Sequence, residues 1–301
     1  MRRSRNLIIA VAAAVILGGG GLIVLGMGDD DGGGLLPTSL SGGEKAKPAG
    51  PSPEELARIE RAKRAKQLDA ALKLVAAETP DFSVALIDKK TGQTYAYQGT
   101  TKFDTASIVK AQILACELLK AQDADREPTE GEMALATPMI QLSDNNATTE
   151  LFEHLGGKSA ITKCNKRLGL SQTTVNKAWG LTKTTATDQV KLLSKLVDTR
   201  GPLDADSRKT AFSLMNTVDD TQDWGVPAVA NPGETTTVKN GWDTRSADGG
   251  LWAVNTIGRV TSTDGSVNVS LAVLSHNNQS MDSGIELVEK VAKLTREHLK
   301  Y

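Results

Sequence analysis

Residues 103–119 read FDTASIVKAQILACELL, and here alone in the chain does a serine, Ser107, have a lysine, Lys110, three residues on. On a helix, positions i and i+3 share a face, so the Lys110 amine can reach the Ser107 hydroxyl. A serine hydroxyl is a weak nucleophile until a neighbour takes its proton. A lysine partly withdrawn from water has a lowered pKa and can do so. Near a helix N-terminus, free N–H groups and the dipole also favour an oxyanion. Ile108, Ile113, Leu114, Leu118 and Leu119 give the segment a broad apolar face. Taken alone, the pair reads first as a serine and a lysine on a helix surface, so the surroundings decide.

Upstream, Phe82 to Asp88 and Gln93 to Gln98 are β-branched, aromatic and apolar runs joined by Lys89-Lys90-Thr91-Gly92, which predicts a hairpin. Earlier still, Ser52-Pro53-Glu54-Glu55 predicts an N-cap, a proline at N1 and a capping glutamate, opening a helix to about Glu78. That helix is charged from Arg58 to Lys66 and should dock through Leu68, Leu72 and Val75. Downstream, helical periodicity runs to about Ser194, with Thr129-Glu130-Gly131-Glu132 as a capping box. Strand patterns return at Thr235 to Trp242, Leu251 to Val260 and Val267 to Ser275, with Thr263-Asp264-Gly265-Ser266 as the last turn. Ser283 to Leu299 closes the chain as a helix, with Leu287, Val291 and Leu294 on one stripe. This order predicts an α/β (α+β) fold: a mostly antiparallel sheet flanked by helices, with an all-helical insert at about 104–200.

Two further motifs fall into this frame. Ser143-Asp144-Asn145 supplies a second hydroxyl and a carboxamide at the end of the helix begun at Thr129. Lys239-Asn240-Gly241 lies in a β-rich run, where the glycine would let a substrate backbone lie flat beside the strand. S-x-x-K, S-D-N and K-x-G in that order are the signature of class A β-lactamases and penicillin-binding proteins. From about residue 68 onward the chain resembles the class A β-lactamase-like serine hydrolases of the penicillin-recognising superfamily. The resemblance rests on residues 103–119, on IQLSDNNATTELFEHLGGKSAITKCNKRLGL (140–170) and on VKNGW (238–242). TASIVK, WGLTKTTATDQ and KNGWDTRSADGGLWAVNTIG resemble more narrowly a divergent branch among secreted actinobacterial proteins.

The resemblance implies roles. Ser107 would be the acylated nucleophile and Lys110 its base or proton relay. Ser143 would pass a proton to the leaving nitrogen, and Asn145 would hold Lys110 and the substrate amide. Lys239 would bind the substrate carboxylate and tune Ser143. The backbone N–H groups of Ser107 and Trp242 would form the oxyanion hole. Asn240, Gly241, Trp242 and Arg245 would line the substrate side. The implied activity is that of an exported serine acyl-hydrolase forming an acyl-enzyme with D-Ala-D-Ala-type peptides, β-lactams or related amides and esters. The expected partner is a small-molecule or cell-wall peptide substrate, with no cofactor, no metal and a monomeric chain.

Departures from the family pattern qualify that reading. Class A enzymes activate the deacylating water with an omega-loop glutamate, and here no glutamate stands between Glu153 and Glu234. Asp188 is a poor substitute, since it follows the Thr184-Thr185 that begins the next helix. The segment from Lys110 to Ser143 is short, Asn240 replaces a threonine or serine, and Arg245 only stands near the place of the family's carboxylate anchor. Acylation with slow deacylation of β-lactams is therefore expected. Two alternatives stay open: a non-catalytic module that binds or senses peptidoglycan or β-lactams, and a true β-lactamase with another base, Asp144 or Asp243 first. Trp179 reads as a plug of the helical block, and Trp242 as an even choice between core and site. Cys116 and Cys164 do not match the family's usual pair, yet could form a disulfide in an oxidising compartment.

Composition agrees. The chain has 301 residues, 39% of them hydrophobic and 24% charged, enough to bury a real core. With 35 basic and 36 acidic residues the net charge is -1, which lacks the basic surplus of a phosphate-neutralising nucleic-acid binder. The three histidines are far apart, and no CxxC or HxxxH pattern occurs, which argues against a zinc site. At the N-terminus, Arg2, Arg3 and Arg5 precede Leu7 to Met27, 21 residues without a charge. Such a run spans about 30 Å and predicts either a cleaved signal peptide or an uncleaved signal anchor (1–27), with the rest of the chain exported. No cysteine follows it to carry a lipid. Residues 28–52 are rich in glycine, serine and proline and read as a flexible tether, leaving 53–301 as the folded domain. The membrane enters the expected function only through the N-terminal run.

Overall fold

Ser52 turns the chain into helix α1 (Pro53–Ala76): its Oγ accepts the Glu55 N–H at 3.2 Å, with Pro53 at the first helical position. The computed structural model describes residues 50–301 except position 245. The apolar run 7–27 and the linker up to residue 49 therefore lie outside the described residues. Among the described residues, no helix is long and apolar enough to cross a membrane. The first half of α1 is exposed, and the helix docks on the terminal helix α8 (Met281–Leu299) through buried Leu68, Leu72 and Val75, as their spacing requires.

The hairpin forms as its turn predicts, from β1 (Phe82–Asp88) and β2 (Thr94–Tyr97). Three long strands complete the sheet: β5 (Glu234–Thr244), β6 (Trp252–Ser262) and β7 (Asn268–Asn278). All pairings are antiparallel, in the order β2-β1-β7-β6-β5, so the terminal strands flank the hairpin and β5 is left at the edge facing the helical block. One apolar core lies between the sheet and that block, and a second between the sheet and α1 with α8.

The block holds α2 (Val109–Asp123), α3 (Glu130–Gln141), α4 (Asn145–His154), α5 (Gly157–Leu168) and α6 (Ala186–Lys195). The capping box at Thr129 is present in both directions. The insert extends past its expected end near residue 200. Helix α7 (Ala205–Asn216), capped by Asp204, and short 3-10 turns at Asp220–Gln222 and Val226–Val229 follow before β5. A two-stranded ribbon, β3 (Phe103–Asp104) with β4 (Lys183–Thr184), was also missing from the expected order. Two-residue strands carry no periodicity to read. Helix α2 differs from an amphipathic helix too: it is buried on every side, so Lys110, Gln112 and Glu117 lie inside with the apolar residues.

Candidate active site

The chain enters the site through a strained turn. Ala106 sits at φ 44°, unusual for a residue with a Cβ, and Ser107 follows inside a 3-10 turn (Ala106–Ile108) that runs into α2. Ser143 is a second such position, at φ 56°. Conformations like these cost about 1–3 kcal/mol each and persist where the surroundings over-determine them. At the Ala106 turn Asn255, fully buried on β6, supplies that constraint: its Nδ2 donates to the carbonyls of Asp104 (2.9 Å) and Thr105 (3.1 Å), and its Oδ1 accepts the Ser275 N–H. No motif announced Asn255. Its strand also carries Thr256, Arg259, Thr261 and Ser262, so a lone carboxamide among them gave no signal.

Gly241 is needed at the same turn, for a reason other than the one expected. A Cβ there would lie 2.6 Å from the Ile108 nitrogen and 2.7 Å from the Ser107 nitrogen. The missing side chain lets β5 close on the turn that carries Ser107. That approach sets the Ser107 N–H against the strand that carries Trp242.

The two lysines meet on one hydroxyl. Lys110 is fully buried, and its Nζ donates to the Ser143 carbonyl (2.6 Å), Ser143 Oγ (3.0 Å) and Asn145 Oδ1 (2.8 Å). Lys239 Nζ, also buried, donates to Ser143 Oγ (3.1 Å) and the Asn240 carbonyl (3.0 Å). With both lysines donating, the acceptor capacity of the Ser143 hydroxyl is filled and its own hydrogen is free for a third group. Burial pushes the Lys110 pKa down to about 7, with Asp144 pulling weakly the other way. Lys239 is lowered as well, first by burial and then by the charge of Lys110. Asn145 does its part from the first position of α4, which Asp144 caps through the Ala147 N–H; it opens this helix rather than closing α3.

The remaining expected residues divide by strand face. Lys239 and Gly241 face Ser143 and the Ser107 turn, and Asn240 and Trp242 the opposite side. Asn240 is a correction: its Nδ2 donates to the carbonyls of Gln222 and Trp224, so no amide hydrogen is left for a substrate carboxylate. It ties β5 to the preceding turn. Trp242 packs its ring on Trp224 and borders the cleft at its edge. Arg245 lies outside the described residues.

The cleft measures about 280 Å³ and is lined by Ser107, Asn145, Trp179, Leu181, Trp242 and Asp243, among others. Trp179 is more than the plug its sequence suggested. Its ring centroid stands 5.0 Å from Lys110 Nζ, and its Nε1 donates to Thr149 Oγ1. A wider groove of about 680 Å³ beside α7 touches none of the motif residues. Asp188 is buried and accepts from the Gln172 N–H and Thr173 Oγ1, anchoring the start of the loop instead of facing the cleft. Among the described residues, Asp243 is the one carboxylate lining it.

Elsewhere in the block, Cys116 and Cys164 form a disulfide. Glu117, Glu132 and His154 bring ligand atoms within 4.8 Å of one another, a convergence invisible in their spacing. The group is already supplied with cations: Arg126 binds Glu132 through both guanidinium nitrogens, and Lys120 Nζ lies 2.8 Å from His154 Nε2. Burial raises the Glu117 pKa to about 7 beside Glu132, whose carboxylate Arg126 keeps ionised.

The model of the beta-lactamase enzyme family (Beta-lactamase2) matches residues 133–299, a span that starts after Ser107 and Lys110. The solved chromosome-encoded β-lactamase of Vibrio parahaemolyticus superposes with a TM-score of 0.67 at 17% identity, over 77% of this chain and 99% of that one. A structure of PBP-A does so at 0.67 and 18%, over 79% and 96%. Mycobacterium tuberculosis and Mycobacterium bovis proteins named "Putative lipoprotein LppW" are 30% identical over 134 residues, 42% of this chain. The chain spans 40% of the length of those relatives.

Proposed function

The chain belongs to the beta-lactamase enzyme family, and we propose that within it the protein is an exported serine acyl-hydrolase that forms its acyl-enzyme on Ser107. The observation that carries this reading is the Ser143 hydroxyl held between Lys110 and Lys239, with Lys110 lowered to about 7 and its partner Asn145 lining one cleft with Ser107. Neutral Lys110 takes the Ser107 proton as Oγ attacks the substrate carbonyl. The Ser107 and Trp242 N–H groups receive the developing oxyanion. The carbon–nitrogen bond then breaks, Ser143 passes its hydrogen to the leaving nitrogen, and the proton held by Lys110 restores the Ser143 hydroxyl. The acyl donors are D-Ala-D-Ala-type peptides, β-lactams or related amides and esters. A PBP-A mutant has been solved as an acyl-enzyme complex with penicillin G, which supports β-lactams as probes. Export is supported by the arginines before residues 7–27 and by the lipoprotein name of the mycobacterial relatives.

One observation favours the rival of a non-catalytic binding module. The Ser107 hydroxyl makes no hydrogen bond among the described residues, and the Lys110 amine is turned to the Ser143 carbonyl, Ser143 Oγ and Asn145 Oδ1 instead. Catalytic contacts often tighten only with substrate bound, and on the acyl-hydrolase reading Lys110 turns to Ser107 at that point. A fluorescent penicillin or a fluorophosphonate decides between them. The acyl-hydrolase is labelled and its Ser107→Ala variant is not. A well-folded protein unlabelled by either reagent, yet stabilised against heat by a peptidoglycan fragment equally with and without Ser107, is a binding module.

A further inference from the structure

Strand alternation determines which β5 side chains look at the nucleophile. Lys239 reaches Ser143 and a Cβ on Gly241 would strike the Ser107 nitrogen, so this is the cleft face. Asp243, two residues further, lies on the same face and lines the cleft beside Ser107, Trp179 and Leu181. Its carboxylate is exposed. Among the described residues it makes one hydrogen bond, accepting the Thr244 N–H at 2.9 Å, and no ion pair.

Direction along the strand assigns this carboxylate to one half of the substrate. In the acyl-transfer reading, on which this inference rests, Ser143 protonates the leaving nitrogen, and Ser143 sits at the Lys239 end of β5. The scissile carbonyl lies at the Ser107 and Trp242 N–H groups. The acyl half of the donor therefore runs on toward Asp243. We propose that the cleft selects acyl donors whose acyl half carries a positively charged amine, received by Asp243. A neutral chain gains nothing from that carboxylate and an anionic one is repelled, whereas an ammonium on a methylene stem pairs with it. The stem meanwhile lies along the indole of Trp179, which forms the apolar side of the same space.

The test uses two penicillins that differ in the acyl chain alone, hexanoyl against 6-aminohexanoyl. Second-order acylation constants are read by intact mass at about pH 8 and low salt, where a primary amine of pKa about 10.4 stays charged. The amine-bearing donor is expected to acylate about threefold faster, the size of one exposed charge pair. The ratio should fall to about one in Asp243→Asn, invert in Asp243→Lys, and shrink as salt screens the pair. Equal rates in wild type, or a preference that survives Asp243→Asn and Asp243→Lys, overturn the inference and leave the acyl-enzyme reading standing. If neither penicillin acylates wild type, the acyl-enzyme reading falls and takes this inference with it.

Discussion

Lys110 can act as a base only when neutral, so the pH dependence of acylation reports its protonation directly. Burial lowers its pKa from 10.5 to about 7. The neutral fraction is then about 1% at pH 5 and about 90% at pH 8, so the acylation constant should rise about 90-fold across that interval. Above it the curve should be flat, with less than a 1.2-fold gain up to about pH 10. A lysine with an ordinary pKa would behave otherwise, still gaining roughly 75-fold between pH 8 and 10. The assay is the rate of adduct formation with benzylpenicillin under pseudo-first-order conditions, quenched and weighed by mass spectrometry. Lys110→Arg provides the second arm, because a guanidinium stays charged and cannot accept the proton; a loss of at least about 10² is expected. A rate that keeps climbing to pH 10, or one that is flat from pH 5, refutes Lys110 as the base.

Three more outcomes follow from the geometry. Gly241→Ala places a methyl 2.7 Å from the Ser107 nitrogen, so it should open the oxyanion hole and slow acylation by about 10² or more, with a lower Tm. Thermal melts across pH should pass through a minimum near neutrality. Glu117, raised to about 7, binds more protons folded than unfolded and loses stability from pH 4.5 to 7. Lys110, lowered to about 7, binds fewer and regains it from there toward 10.5. Glu117→Gln should flatten the acid limb and Lys110→Met the basic one; a profile unchanged in both variants contradicts the two assignments. Reducing Cys116–Cys164, which closes a loop of 48 residues, should cost about 2–4 kcal/mol in denaturant unfolding, and a midpoint unmoved by reductant would show the bridge to be energetically idle.

The strands and the long helices were readable because their periodicity is strong, and the Thr129 capping box and Ser52 N-cap formed as written. Three motifs in order imply one arrangement of turn, helix and edge strand, and Lys110, Ser143, Asn145 and Lys239 do meet through hydrogen bonds, with Ser107 and Asn145 lining one cleft. What was not legible depends on contacts between distant segments. Asn255 looks like any strand residue until β6 is seen to pass beneath the Thr105 carbonyl. Asn240 looks like a ligand for substrate until its amide is found on Gln222 and Trp224. Glu132 writes a capping box in sequence and at the same time lies beside Glu117 and His154 in space. The purpose of Gly241 became clear only with the Ser107 turn pressed against it.

The proposed acyl-enzyme on Ser107 is one that β-lactams leave slowly, because general-base help with the deacylating water, worth about 10²–10⁴ in rate, has no omega-loop glutamate to supply it. Intact mass after mixing with benzylpenicillin, followed over time, measures formation and persistence together. The expected record is one penicilloyl adduct per chain that lasts minutes or longer and never forms in Ser107→Ala. An unmodified chain that destroys penicillin through many rapid turnovers would contradict it, identify the protein as a true β-lactamase and turn attention to Asp243 as its base. A chain that neither gains mass nor consumes penicillin or any other acyl donor would contradict it from the other side.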